Sequence, residues 1–362
     1  IEVTNKNVSF SGVGGPLMEA TGFNSLFKMS DLSLMGLVEI IPKIPMLISR
    51  IKLTANSIIS QNPDVLITID SPDFCMRVAK KVRNALPNLK IIHYVAPSVW
   101  AWRPERAAKM SKYVDHVLAL LPFEPPYMEA EGMTCDFVGH PAVSSPHVSK
   151  KAQEKFKKKY NLHNGPIITV LPGSRIGEIK RMCPIFNKVL NNIEKLYPDS
   201  QFILPVASSV EKDVVNAVKS WNIKPLLLLN EGKDLKELEH DKFITYSISS
   251  AALATSGTVS LELAAKKCPM IVAYKANWIT TKMVKKLAKI DTANLINIIT
   301  DTKVIPEHLF ENCTVENITE SLRSLLNNDN NQIKAMEETM NRLGADRKDI
   351  HLLAANSVLN NI

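Results

Sequence analysis

Short apolar runs alternate with segments of helical pattern along most of the chain. Up to residue 138 the runs cover 8–10, 65–69, 91–95, 117–121 and 137–138, and most of them end at Gly, Pro or Asp. Continuous apolar runs of this length are typical of buried parallel strands. Residues 73–85 and 104–112 lie between runs and have a helical pattern. The alternation predicts the β-α-β order of a doubly wound α/β sheet.

The same alternation starts again after a change in composition. Residues 144–159 contain six lysines, which predicts a solvated basic helix near a domain boundary. Apolar runs then follow at 167–171, 201–205, 226–229 and 269–274. The pattern therefore predicts two Rossmann-like halves that face each other across a cleft. In such sheets ligands bind beyond the carboxyl ends of the strands.

Composition narrows the class of protein. The chain has 362 residues, 45% of them hydrophobic and 22% charged, which is enough for two globular domains. No stretch reaches the ~18 consecutive apolar residues of a membrane-spanning helix. A net charge of +8 favours an anionic partner, but nucleic acid is not expected, because the lysines are not interleaved with aromatic residues. Five scattered cysteines lack zinc-binding spacing, so no metal site is expected.

A glycine turn with a cation follows the apolar run 167–171. Gly173, Ser174 and Arg175 would offer a diphosphate free N–H groups, the positive end of a helix dipole and a bidentate guanidinium. An ordinary strand-to-helix turn with a solvent-facing arginine explains the same pattern.

A second phosphate-type turn lies at Ser256, Gly257 and Thr258, with Glu262 after it. Small hydroxyl residues at a helix start can bind phosphate, and the carboxylate can accept both hydroxyls of a ribose. Plain helix capping would select the same residues.

Two carboxylates follow the run 65–69. Asp70 and Asp73 could include a general base whose pKa is tuned by burial and by its neighbour. Asp73 could also simply cap the next helix.

The loop within residues 93–103 holds Trp100, Trp102 and Arg103. Aromatic residues concentrated in a loop suggest a ligand wall with a cation for a phosphate. A plug at the domain interface is the alternative.

Residues 32–51 contain 12 large apolar residues, interrupted by Pro42 and Pro45 and flanked by Lys43, Arg50 and Lys52. The segment is too short to span a bilayer and too apolar for an ordinary surface. It is either a lipid-facing surface or a core element under the sheet.

Eight segments, taken in order, resemble the lipid-A-disaccharide synthases. They are 12–18, 35–39, 70–74, 93–103, 121–124, 138–141, 171–175 and 256–262. The match covers nearly the whole chain, and the loop around Trp100 and Trp102 is its most distinctive part. The resemblance implies a GT-B glycosyltransferase whose C-terminal helix returns to the first domain. Residues 1–143 with 345–362 would bind the lipid acceptor, and residues 144–344 the UDP-sugar.

The resemblance also implies the reaction. A hexosyltransferase of lipid A biosynthesis would move 2,3-diacylglucosamine from UDP to the 6-hydroxyl of 2,3-diacylglucosamine 1-phosphate, with inversion. The UDP-sugar is a substrate, so no cofactor is expected. The expected partners are the two lipid substrates and an anionic membrane surface, while a homodimer is left open. The protein would be cytoplasmic and peripheral on the inner face of the inner membrane.

Site residues follow from the same resemblance. Asp73 is expected as the general base, with Asp70 and Arg175 completing the catalytic set. The nucleotide side would comprise Gly173, Ser174, Arg175, Ser256, Gly257, Thr258, Glu262 and Asn297. The acceptor and lipid side would comprise Met35, Leu37, Val38, Trp100, Trp102 and Arg103.

One feature departs from the family. Its members begin with a strand and a Gly-Glu-x-Ser-Gly-Asp turn, and no such segment precedes Val8. The first domain is therefore expected to lack its first strand, which favours one alternative, a UDP-sugar-binding protein without transferase activity. A UDP-sugar epimerase of the same architecture is the other, but the apolar segment and the aromatic loop count against it.

Overall fold

The chain forms two compact units. The computed structural model describes residues 8–32, 41–230, 232, 234–255, 257–276, 292–327, 331–347 and 349–362, with residue 235 described for its backbone only. Unit 1 comprises Ile1–Pro141 with Arg347–Ile362, and unit 2 comprises Ala142–Asp346. These borders lie two residues from the expected ones at 143/144 and 344/345.

Strands and helices alternate along both units. The strands are β1 (Val65–Ile69), β2 (Lys90–Tyr94), β3 (His116–Ala119), β4 (Thr134–Phe137), β5 (Ile167–Leu171), β6 (Gln201–Pro205), β7 (Leu226–Leu228), β8 (Ala251–Ala254), β9 (Met270–Tyr274) and β10 (Glu307–Leu309). The described helices are α1 (Pro16–Glu19), α2 (Ile44–Gln61), α3 (Pro72–Ala85), α4 (Glu105–Met110), α5 (Pro125–Glu129), α6 (Lys150–Lys159), α7 (Ile176–Leu196), α8 (Glu211–Lys219), α9 (Leu235–Ile248), α10 (Val259–Ala265), α11 (Leu295–Thr300), α12 (Val315–Asn327), α13 (Asn331–Arg342) and α14 (Ile350–Asn360). Short 3-10 helices cover Met29–Leu32, Ile41–Lys43, Pro141–Ser144, Ser208–Val210 and Phe310–Asn312.

Unit 1 is built on a parallel sheet of order β1-β2-β3-β4. On one face Ile91 and Val117 pack with Val78 and Val82 of α3. On the other face Ile92 and Leu118 pack with Val358 of the C-terminal helix α14. Because both faces are covered, the inner strands β2 and β3 are largely buried. The predicted return of the C-terminal helix to the first domain is confirmed.

A buried polar network ties α14 to this sheet. The His116 ring lies 2.7 Å from Thr134 Oγ1 through Nδ1 and 2.9 Å from Ser357 Oγ through Nε2. Ser357 in turn donates to Asp136 Oδ2 at 2.6 Å, so Nε2 carries the proton that His116 donates to Ser357. Burial lowers the pKa of His116, which keeps the ring neutral and suits it to this role.

Two expectations for the start of unit 1 were wrong. Residues 8–10 form no strand, and none precedes Val65 among residues 8–32 and 41–64. Phe10 is exposed, and a run of three residues has too few positions to form a stable ladder. Pro45 does not interrupt a helix but lies in the first turn of α2, where its missing N–H is not needed. α2 ends at Asn62, which has a left-handed backbone.

Unit 2 is a six-stranded parallel sheet of order β10-β9-β8-β5-β6-β7. Ile168 and Val170 of the central strand β5 pack against Phe186 and Leu190 of α7 in a buried apolar cluster of this unit. β6 and β7 lie on one side of β5 in the sheet, and β8, β9 and β10 lie on the other side. The order therefore reverses between β5 and β8, which is where this class of sheet binds ligands.

Candidate functional site

Two of the predicted turns lie side by side at this reversal point. Leu171, the last residue of β5, pairs in register with Ala254, the last residue of β8. The Thr255 amide then donates to the Leu171 carbonyl at 3.0 Å. The turn that follows each strand therefore starts at the same edge of the sheet. Residues 173–175 follow β5, and Gly257 and Thr258 follow β8. Ser256 lies outside the described residues.

A buried carboxylate organises the first of these turns. Glu178, which is 6% exposed, accepts the Ser174 amide at 3.0 Å and the Arg175 guanidinium at 2.8 Å. Gly173 has φ +119°, and a Cβ on it would clash with the Glu178 side chain. The turn is held from inside the protein, while Arg175 keeps about half of its side chain exposed. Sequence reasoning missed Glu178, whose position three residues into a helix has an ordinary explanation as capping.

The Gly173→Ala variant is expected to lose roughly 1–3 kcal/mol of unfolding free energy, because the new Cβ meets Glu178 and the backbone is left-handed. Gly177→Ala is the matched control, since Gly177 lies inside α7 and alanine favours a helix. Urea denaturation of both variants measures the difference. Equal stability of Gly173→Ala and the wild type would contradict this description of the turn.

The second turn leads to a carboxylate that already has partners. Glu262 Oε2 lies 3.0 Å from Lys242 Nζ. Tyr246 is buried and shares a hydrogen bond with Glu262. Burial is the main cause that raises the pKa of Tyr246 well above its usual value, and the negative charge of Glu262 raises it further. Thr258 and Gly257 are exposed at the same edge. The arrangement fixes the direction of Glu262 and leaves the turn open to a ligand.

Asn297 does not present free polar atoms in the structure. It is 2% exposed, and its amide group donates to the Ile305 carbonyl and to Glu307 at 2.9 Å each. Its oxygen accepts the Ile305 amide at 3.0 Å. A buried amide satisfied in this way holds the segment that leads to β10. A direct contact of this side chain with the nucleotide would require those bonds to break.

The two carboxylates of unit 1 lie at the carboxyl edge of its sheet. Asp70 and Ser71 both have left-handed backbones, and the Asp70 amide donates to the Tyr94 carbonyl at 2.9 Å. Asp73 lies in the first turn of α3, and Ser71 rather than Asp73 occupies the N-cap position. Both carboxylates are exposed, so the expectation that burial tunes them was wrong. Exposure leaves both accessible to a substrate.

A buried histidine beneath this turn escaped sequence reasoning. His93 in β2 is 1% exposed, and its Nδ1 lies 2.7 Å from Thr68 Oγ1. Burial lowers the pKa of His93 to about 4, although the negative charge of Asp70 acts in the opposite direction. A neutral ring in a strand interior supports the turn, and a single histidine in an apolar run gave no sign of that contact.

The aromatic loop has a fixed local structure. Val95, just after β2, has φ +84° and Arg103 has φ +51°, conformations that are rare for such residues. Trp102 is stacked by Arg103 at 4.5 Å and by Arg106 at 5.3 Å from the ring centroid. Strained backbone of this kind concentrates at functional sites. Trp100, Trp102 and Arg103 are partly exposed, as a ligand wall requires.

The described residues include only part of the apolar segment 32–51. Met35, Leu37 and Val38 lie outside the described residues, but Ile41, Ile44 and Ile48 are 60%, 42% and 45% exposed. The alternative that this segment is core does not hold for these three residues. Ile44 and Ile48 share one face of α2 with the buried Ile51 and Ala55 further along. The apolar face of the helix therefore continues beyond the part that packs in unit 1.

One of the flanking cations has a structural partner. Arg50 pairs with Asp31 at 2.8 Å and stacks over Phe27 at 4.6 Å from the ring centroid. Lys43 and Lys52 are exposed. The charge that this surface offers to an anionic partner therefore comes mainly from the two lysines.

Comparison with known proteins decides the family. Residues 2–359 match the lipid-A-disaccharide synthetase family. The chain belongs to that family. It is 46% identical to the lipid-A-disaccharide synthase of Ruegeria pomeroyi, over 98% of this chain and 88% of that protein. The enzyme of the same name from Rickettsia prowazekii is 39% identical, over 94% of this chain and 88% of its own length.

Solved structures agree on the fold. UDP-GlcNAc 2-epimerase from Neisseria meningitidis, bound to UDP-GlcNAc, matches with a TM-score of 0.61 at 12% identity, over 95% of this chain and 88% of that one. A glycosyltransferase from Rickettsia africae matches with a TM-score of 0.53 at 15% identity, over 96% of this chain and 87% of that one. At such identities the likeness concerns the fold, and it confirms the predicted α/β class with GT-B neighbours.

Family membership confirms the predicted activity. The chain is a hexosyltransferase, a lipid-A-disaccharide synthase by family, and the epimerase and binding-protein alternatives are not favoured. None of the helices described is both long and apolar enough to span a membrane. Within the same residues, no group of three His, Cys, Asp or Glu side chains is placed to hold a metal ion.

Proposed function

We propose that the chain transfers 2,3-diacylglucosamine from UDP to the 6-hydroxyl of 2,3-diacylglucosamine 1-phosphate, with inversion. The observation that carries the nucleotide part is the pairing of Leu171 with Ala254, which starts the Arg175 turn and the Glu262 turn at one sheet edge. The UDP-sugar is the substrate, and no cofactor takes part in the proposal.

In unit 2, Arg175 and the start of α7 would stabilise the departing diphosphate. The C1–O bond to UDP breaks, and its electron pair stays on the β-phosphate. Arg175 is already oriented by Glu178 at 2.8 Å, so little reorganisation is needed as charge develops. Glu262 would accept ribose hydroxyls with its orientation set by Lys242 and Tyr246.

In unit 1, Asp73 would act as the general base. The acceptor 6-hydroxyl oxygen forms the new bond to C1, and its proton passes to the Asp73 carboxylate. Asp73 is exposed in the first turn of α3, where a substrate hydroxyl can reach its carboxylate. Asp70 contributes charge nearby without taking the proton.

Acylated substrates reside in a membrane, so the protein is proposed to work as a peripheral protein on the cytoplasmic face of the inner membrane. The exposed Ile41, Ile44 and Ile48 would enter the interface. Lys43 and Lys52 would add roughly 1 kcal/mol each near an anionic surface, which salt screens.

The Ile44→Ser/Ile48→Ser variant is expected to bind anionic vesicles at least ~10-fold more weakly than the wild type. Each isoleucine that moves from water to lipid contributes roughly 1.5–3 kcal/mol. Leu53→Ser is the matched control, because Leu53 is 42% exposed but lies on the opposite side of α2. Co-sedimentation at low and high salt measures binding. Equal binding by the double variant and the wild type would reject this surface.

The transfer itself is tested by UDP release from the diacylated UDP-sugar. Release should require the diacylglucosamine 1-phosphate acceptor, because the 6-hydroxyl is the nucleophile. An epimerase would convert the UDP-sugar without any acceptor, and a binding protein would release no UDP at all.

A further inference from the structure

A buried carboxylate lies where β3 ends. Glu124, which is 3% exposed, precedes α5 and belongs to the segment 121–124 that resembles the family without a stated role. Its Oε2 accepts the Leu121 amide at 3.0 Å and the Leu120 amide at 3.2 Å. One oxygen of the carboxylate thus closes the turn that follows β3.

The other oxygen reaches the aromatic loop. Trp100 Nε1 donates to Glu124 Oε1 at 3.2 Å, and the Trp100 ring meets Phe123 edge-to-face with 5.1 Å between centroids. All three of these donors are neutral N–H groups, and burial raises the pKa of Glu124 to about 7. A carboxylate is costly in such a place. In return, the Glu124 carboxylate links the aromatic loop to the turn that follows β3.

The three turns at this edge are joined through their backbones. The Asp70 amide bonds to the Tyr94 carbonyl at 2.9 Å, and the Val95 amide bonds to the Leu118 carbonyl at 3.0 Å. The turn with Asp73, the aromatic loop and the Glu124 turn follow the adjacent strands β1, β2 and β3. Trp100, held by Glu124, therefore lies in a turn at the same edge of the sheet as the turn with the proposed base Asp73.

We propose that Glu124 is a positioning residue for the acceptor: through Trp100 it holds the aromatic loop in the place that orders the acceptor sugar beside Asp73. The inference rests on the proposed function, in which this loop lies on the acceptor side. Glu124 itself does not touch the substrate. Its loss should therefore weaken acceptor use and leave donor binding intact.

The test is steady-state kinetics of the full chain with both substrates varied. Glu124→Gln leaves only one oxygen for three donors, so the acceptor KM should rise about 10-fold, the scale of one hydrogen bond to a charged group. The UDP-sugar KM and kcat should stay within about 3-fold. Trp100→Phe keeps an aromatic ring without the donor and should give the same split. The double variant should be no worse than either single variant, because both remove one link.

Asp115→Asn is the matched control. Asp115 accepts the Ile91 amide at 2.8 Å and pairs with Arg83 at 2.6 Å, but it precedes β3 at the amino edge of the sheet. It should lower stability in unit 1 without raising the acceptor KM. A rise equal to that of Glu124→Gln would overturn the positioning role, as would additive effects or an equal rise in the UDP-sugar KM.

A readout without turnover separates this inference from the proposed function. The indole N–H resonance of Trp100, assigned with Trp100→Phe, should shift when diacylglucosamine 1-phosphate is added to the wild type and not when UDP is added. A resonance that ignores the acceptor in an active enzyme overturns the inference alone. Absence of acceptor-dependent UDP release in the wild type overturns the proposed function.

Discussion

The Asp73→Asn variant should lose at least ~10²-fold in turnover while its affinity for UDP stays unchanged. An amide cannot take the proton of the 6-hydroxyl, and removal of a general base costs roughly 10²–10⁴-fold in rate. The side chains are nearly the same size, and Asp73 is exposed in the first turn of α3, so the fold should persist. Turnover is measured by UDP release, and UDP affinity by calorimetry.

Asp70→Asn serves as the matched control and should lose less activity. Asp70 has φ +46° and holds its turn through its backbone amide. Asparagine tolerates the left-handed region well, so the turn survives the substitution and only the charge is lost. An indispensable Asp70 together with a dispensable Asp73 would show that the base is assigned to the wrong carboxylate.

The Arg175→Ala variant should lose both UDP affinity and turnover, with turnover reduced roughly 10²–10³-fold. The guanidinium binds the diphosphate in the ground state and stabilises it further as it departs. Its loss also leaves the buried Glu178 without a cation at 2.8 Å, and that negative charge then faces the phosphates. The effect should therefore exceed that of one missing contact.

Two further variants sharpen this prediction. Lys180→Ala removes an exposed cation from the same helix and should change little. Glu178→Gln combined with Arg175→Ala should recover part of the UDP affinity, because the repelling charge is gone. Unchanged UDP affinity in Arg175→Ala would show that the diphosphate does not bind at Arg175.

Apolar patterning predicted most of the strands that are rich in large apolar residues and missed those that are rich in alanine or polar residues. Val65–Ile69 and Gln201–Pro205 were predicted at their exact bounds. Ala251–Ala254 was missed because alanine has little preference for strands, and Glu307–Leu309 because it is short and partly polar. The false strand at 8–10 has the right composition, but it pairs with no strand among the described residues.

The candidate site could be predicted as motifs but not as contacts. Gly173 and Glu262 were found from their turns, yet their adjacency depends on β8, which the pattern did not show. His93 and Glu124 act through Thr68 and Trp100, partners distant in sequence that only the fold brings to them. Glu178 lies three residues from Arg175, but an acidic residue at that helix position has an ordinary explanation as capping. The internal bonds of Asn297 are of the same kind.

The account is tested most directly by the product that the purified chain makes from the diacylated UDP-glucosamine and diacylglucosamine 1-phosphate. Mass spectrometry and NMR should show a tetraacyl disaccharide 1-phosphate, joined at the acceptor 6-hydroxyl, with the anomeric configuration inverted relative to the donor. The Asp73→Asn variant should make almost none of it. A retained configuration, or an altered UDP-sugar without any disaccharide, would contradict the account.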